Sequence, residues 1–98
     1  MPLKLIEGAM GSGKTTKLRE MAGRTVIIGA ATSTRNAMKR FFESVEDLAK
    51  HNDARIKVSP KGTYSVYIDE LPKSDVGFIR SIVPQNVSVV AVVSSTAF

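Results

Sequence analysis

Apolar and polar positions fall into short blocks whose period changes along the chain. Residues 3–7 (LKLIE) form a short apolar run that stops at Gly8, the pattern of a strand ending in a turn. Residues 8–13 are glycine-rich. Residues 14–21 are helix-compatible, with Leu18 and Met21 three apart, and Gly23 stands where glycine commonly closes a helix. Residues 25–28 are β-branched throughout and predict a second strand. Ser33 or Thr34 then caps one longer helix whose apolar positions are Ala37, Met38, Phe41, Phe42, Val45, Leu48 and Ala49, a spacing of three and four that buries one face.

The second half of the chain reads differently. Residues 55–59 alternate weakly, Pro60-Lys61-Gly62 signals a turn, and residues 63–68 are a long β-branched and aromatic strand, so the two segments read as a hairpin. A helix of two or three turns is expected over 74–83, opened by Ser74 or Asp75 and stopped before Pro84. Residues 87–93 are nearly all apolar, the signature of a strand buried on both faces of a parallel sheet. Strands alternating with helices predict a layered α/β domain with right-handed crossovers.

At 98 residues the chain is expected to be a single small domain spanning 1–98. Apolar residues at 43% rule out a disordered chain, and no apolar run approaches the roughly 20 residues of a membrane helix. The N-terminal MPLKLIEG lacks the features of a secretion signal, so a cytoplasmic protein without membrane partners is expected. The absence of cysteine excludes disulfide scaffolds, zinc ribbons and thiol catalysis, and the one histidine, His51, cannot build a histidine metal site. Fourteen Lys and Arg against nine Asp and Glu leave a net charge of +5, which favours anionic partners such as nucleotides or nucleic acid.

Two segments carry chemistry. Gly8-Ala9-Met10-Gly11-Ser12-Gly13-Lys14-Thr15 satisfies G-x-x-x-x-G-K-[ST] at every position, after a strand and at the start of a helix. Glycines let backbone N–H groups curl around a phosphate, and the helix N-terminus adds partial positive charge. Gly8 through Thr16 would form the nucleotide cradle, with Lys14 reaching the β- and γ-phosphates and the Thr15 hydroxyl on Mg²⁺. The bland alternative is a glycine-rich turn capping a helix. Tyr64-Ser65-Val66-Tyr67-Ile68-Asp69-Glu70 delivers an acidic pair at the end of a strand. Asp69 would hold the ion directly or through water, and Glu70 would orient or deprotonate an attacking water. The alternative is that Asp69 caps a turn before Leu71-Pro72 and Glu70 is merely solvated.

On these residues the chain resembles the P-loop NTPases, with GAMGSGKT as Walker A and VYIDE as Walker B. The Asp-Glu pair resembles the branch of that superfamily with an added catalytic glutamate. The resemblance implies a three-layer core with a mostly parallel sheet of four or five strands, ATP and Mg²⁺ as cofactors, and sheet order 2-3-4-1. Residues 87–93 would be inserted between the P-loop strand and the Walker B strand, with Ser94-Ser95-Thr96 sensing the γ-phosphate. Two closer likenesses compete. The P-loop through Thr16 and Leu18 is similar to that of type II thymidine kinases, which hold their base with a C-terminal segment usually carrying a four-cysteine zinc site, a pattern this cysteine-free chain departs from. Residues 26–38 look like the threonine-bearing segment by which the first core domain of helicases contacts a DNA backbone. Helix capping is the simpler role for Thr32, Ser33 and Thr34.

The expected function is therefore Mg-dependent ATP binding and hydrolysis coupled to nucleic acid or a partner protein. A nucleotide-binding interaction module with little turnover and a nucleoside kinase are the alternatives. The P-loop strand should lie at a sheet edge, where pairing with a second copy or a partner protein would cover it. Phe41 and Phe42 read as core, Tyr64 and Tyr67 as opposite faces of one strand, His51 as a helix C-terminal residue, and the charges of 35–61 as a solvated face. Arg35 and Arg80 are the candidates for a transition-state arginine.

Overall fold

The computed structural model describes residues 3–8 and 13–94. Five strands, β1 (Leu3–Ile6), β2 (Ile28–Gly29), β3 (Lys57–Val58), β4 (Tyr64–Leu71) and β5 (Val87–Val93), make one sheet. Four helices, α1 (Lys14–Ala22), α2 (Arg35–Glu43), α3 (Val45–Lys50) and α4 (Val76–Ile82), flank it. The strand order is β1-β5-β4-β2, all parallel, with β3 antiparallel to the first half of β4. The last strand thus lies between the first strand and the one carrying Asp69-Glu70, as expected. The hairpin reading of β3 and β4 also holds. Among the described residues no helix is long and apolar enough to cross a membrane.

Alternation along the strands divides the core in two. Val66 and Ile68 of β4, with Val87, Val89 and Ala91 of β5, pack against Met38, Phe41 and Phe42 of α2, Val45 of α3 and Ile79 of α4. Tyr67 and Val92 face the other way and pack with Ile6 against Leu18 and Ala22 of α1. A strand covered on both faces needs apolar residues at odd and even positions, which is why β5 is apolar at every position but the exposed Ser88. Among the described residues β1 pairs only with β5, at one edge of the sheet. Lys4 is exposed at its centre, the kind of charge that limits indiscriminate edge pairing.

Three boundaries differ from expectation. The single helix predicted over 35–49 is two helices that break at Ser44 (φ −106°, ψ 7°), whose N–H donates to the carbonyls of both Arg40 and Phe41. Serine is a weak helix former that stabilises such local turns, and both halves still bury their apolar faces. The strand predicted over 25–28 shortens to Ile28–Gly29, because the Thr25 and Val26 amides donate to the carbonyls of Ala22 and Ala54. The helix predicted over 74–83 opens with a 3-10 turn, Lys73–Asp75. Its expected cap, Asp75, makes no side-chain capping bond because its carboxylate is taken by Arg35. Thr34 does cap α2, accepting from the Ala37 amide at 3.1 Å, and His51 ends α3.

The segment after α3 is held by an ion pair. Arg55 donates from Nε to Asp53 Oδ1 (3.0 Å) and from a terminal nitrogen to Oδ2 (2.7 Å), while its guanidinium lies 4.8 Å from the centre of the Phe41 ring. The side-chain bonds from Arg55, with the Arg55 amide bonded to the same carboxylate, lower the Asp53 pKa from 3.8 to about 2. A lowered folded pKa stabilises above the unfolded value, and that contribution fades as pH falls from near 4 towards 2. Because Arg55 is 44% exposed, solvent screening limits the pair to about 1 kcal/mol. Asp53→Asn should therefore lower unfolding stability by about that amount at neutral pH and by clearly less near pH 2, where the folded carboxylate is itself titrating, as urea titrations at both pH values would show.

Candidate functional site

Gly13 precedes α1 in the left-handed region (φ 79°, ψ 20°), which glycine enters without a Cβ penalty. Open space surrounds that position, so the backbone angle and not packing selects glycine. The turn delivers Lys14 and Thr15 as the first helical residues, at the carboxyl ends of β1, β5 and β4. The Lys14 ammonium donates to the carbonyls of Gly8 (2.8 Å) and Val93 (3.3 Å), bridging the ends of the paired strands β1 and β5. The Thr15 hydroxyl donates to Asp69 Oδ1 at 3.4 Å across 54 positions of sequence. Thr16 is exposed on the first turn of α1. Ala9, Met10, Gly11 and Ser12 of the expected cradle, and Ser95 and Thr96 of the expected sensor, lie outside the described residues.

The acidic pair stands within β4 and not in a turn after it. Ile68 pairs with Ala91 but Leu71 pairs with Val93, so β4 carries one residue more than β5 over this stretch. In a regular strand Glu70 would share the face of Val66 and Ile68 and enter the core under α2 and α4. Burying a lone carboxylate there would be prohibitive. The extra residue returns Leu71 to that face, where it is buried in the same cluster as Ile68, and leaves Glu70 exposed. Glu70 accordingly takes a left-handed backbone (φ 54°), costing on the order of 1–2 kcal/mol for a residue with a Cβ. Its amide donates to Asp69 Oδ1 at 2.9 Å, and the Ser94 amide fastens the far side by donating to the Leu71 carbonyl at 2.8 Å.

A cleft of about 490 Å³ opens beside Glu70, lined by Ala31, Pro72, Lys73, Ser74, Asp75 and Ser94. Its outer wall is fixed by Arg35, which donates from Nε to Asp75 (2.8 Å) and from a terminal nitrogen to the Ser74 carbonyl (3.2 Å), with Phe78 5.2 Å away. Arg80, the other candidate arginine, is exposed in the last turn of α4. Thr32 and Ser33 donate their hydroxyls to the Gly29 carbonyl, so both shape the turn after β2.

Sequence reading brought Lys14, Thr15, Asp69 and Glu70 to notice but missed Lys73, Ser74 and Asp75. These belong to no motif, and only the crossover from β4 to α4 brings them beside Glu70. Comparison with protein-family models, curated proteins and solved structures finds no match. The arrangement therefore has to be judged by its own chemistry. A hydroxyl and a carboxylate at one point form a hard-oxygen donor set of the kind that, with substrate phosphates and water, suits Mg²⁺. An ammonium beside a helix N-terminus suits phosphate. An exposed carboxylate next to both can accept a proton from a small nucleophile.

Proposed function

We propose that the chain is a P-loop nucleoside triphosphatase that binds ATP with Mg²⁺ and hydrolyses it, in the service of a nucleic acid or a partner protein. The observation that carries this reading is the approach of the Thr15 hydroxyl to the Asp69 carboxylate, which joins the two motifs into one site. Thr15 and Asp69 would hold the ion, whose chemistry is to neutralise charge on the phosphate oxygens. Lys14, which bonds two strand-end carbonyls, would turn its ammonium to the β- and γ-phosphates. Glu70 would accept a proton from water directed at the γ-phosphate. The chain contributes positioning and charge and forms no covalent bond to the substrate.

Phosphate release from Mg²⁺–ATP by wild type and Glu70→Gln, with and without single-stranded DNA, tests the proposal. The amide keeps the size of the side chain but cannot take the proton, so turnover should fall by about 10²- to 10⁴-fold. Stimulation by DNA would identify nucleic acid as the partner. No release by folded wild type would instead favour a nucleotide-binding module with little turnover. Equal rates in the two proteins would remove Glu70 from the chemistry.

A further inference from the structure

We propose that Asp69 is a positioning residue for Glu70, separate from any part it plays in holding a cation. The proposal rests on the reading of Glu70 as the group that activates water. One oxygen of the Asp69 carboxylate, Oδ1, accepts both the Glu70 amide at 2.9 Å and the Thr15 hydroxyl at 3.4 Å. Among the described residues no hydrogen bond is made to Oδ2. The two oxygens thus divide the work: Oδ1 ties the backbone of Glu70 to the first turn of α1, and Oδ2 is available to a cation.

Three contacts set the aim of Glu70. Burial of Leu71 and the Ser94–Leu71 bond hold the chain on its far side, and the Asp69 side chain holds the near side. A left-handed residue persists only where its surroundings over-determine it. The far-side contacts fix where β4 resumes, whereas Oδ1 accepts directly from the peptide N–H of Glu70 itself. Because the same atom accepts from Thr15, the aim of Glu70 is referenced to the helix that would carry the phosphates, and not merely to the sheet. A glutamate whose carboxylate is otherwise exposed gains from this a fixed starting direction for its side chain.

Asp69→Asn and Asp69→Ala separate the two roles. Asparagine keeps a carbonyl Oδ1 that can accept both bonds but loses the charge a cation needs, whereas alanine loses both. Solvent-exchange NMR on the full chain without nucleotide or metal should show the Glu70 amide exchanging at least about tenfold faster in Asp69→Ala than in wild type, with Asp69→Asn close to wild type. In phosphate release with Mg²⁺ raised to saturation, Asp69→Asn should show mainly a higher Mg²⁺ requirement, while Asp69→Ala should also lose kcat by about a further tenfold. Unchanged exchange of the Glu70 amide in a folded Asp69→Ala protein would overturn the proposal, and so would equal saturating kcat in the two variants. Wild type without turnover would sink the hydrolase reading instead, and the exchange result would still decide whether Asp69 holds the Glu70 backbone.

Discussion

Lys14→Ala is expected to weaken Mg²⁺–ATP binding by at least about 100-fold, close to 3 kcal/mol, while leaving the protein folded. The Lys14 ammonium lies where the ends of β1 and β5 meet the first turn of α1, and an alanine there would leave phosphate charge largely to backbone dipoles. A smaller structural effect should accompany the loss. Removing the bonds to the Gly8 and Val93 carbonyls frees two acceptors at a partly exposed position, worth about 1 kcal/mol together. Isothermal titration with ATP measures the first effect and urea unfolding without nucleotide the second. On the proposed function the two should separate cleanly, because added Mg²⁺–ATP is expected to stabilise wild type further and the variant far less. Unchanged affinity in a folded variant would reduce residues 8–15 to a turn that caps a helix.

Phe42→Ala should have the largest effect on folding. Phe42 is 1% exposed and the largest of the fully buried side chains, and its ring meets Phe41 edge-on with centres 5.3 Å apart. It lies on α2 within the cluster that joins α2, α3 and α4 to β4 and β5, so no exposed surface can move in to fill the space. Phenylalanine-to-alanine changes at such sites cost about 3–5 kcal/mol. A domain of this size has roughly 5–15 kcal/mol in total, so about a fifth or more of its stability would go. In urea the midpoint should fall with little change in slope, and any protein still folded should bind ATP as wild type does. An equal loss of ATP affinity in the folded fraction would mean that this core and the phosphate site are coupled through β4.

Much of the fold was legible because it depends on periods and punctuation that neighbouring residues supply. The nearly continuous apolar run of β5 required a strand covered on both faces, and the three-and-four spacing from Met38 to Val45 required a buried helix face. Gly23 ends α1 at a positive φ (61°) that favours glycine, as its position after the helix suggested. The order of Lys14, Thr15, Asp69 and Glu70 along the chain was enough to nominate the site. Proximity of Thr15 to Asp69 was expected only from the motifs and their family resemblance and not from periodicity, since it depends on β5 inserting between β1 and β4 and on α1 covering the face that Tyr67 shares. Glu70 was expected in solvent beyond the end of its strand, and it is exposed, but within a strand that runs on to Leu71. Alternation alone would bury it, and the decision came from competition for one place in the core, which Leu71 wins because burying an apolar side chain is favourable and burying a lone carboxylate is not. The Arg35–Asp75 pair spans 40 residues, and the cleft it walls exists only once α2 and α4 lie side by side on the sheet. Local chemistry therefore determined the elements and the candidate residues of this protein. The aim of the acidic pair was decided by packing, because only the assembled sheet determines which residue must face the core.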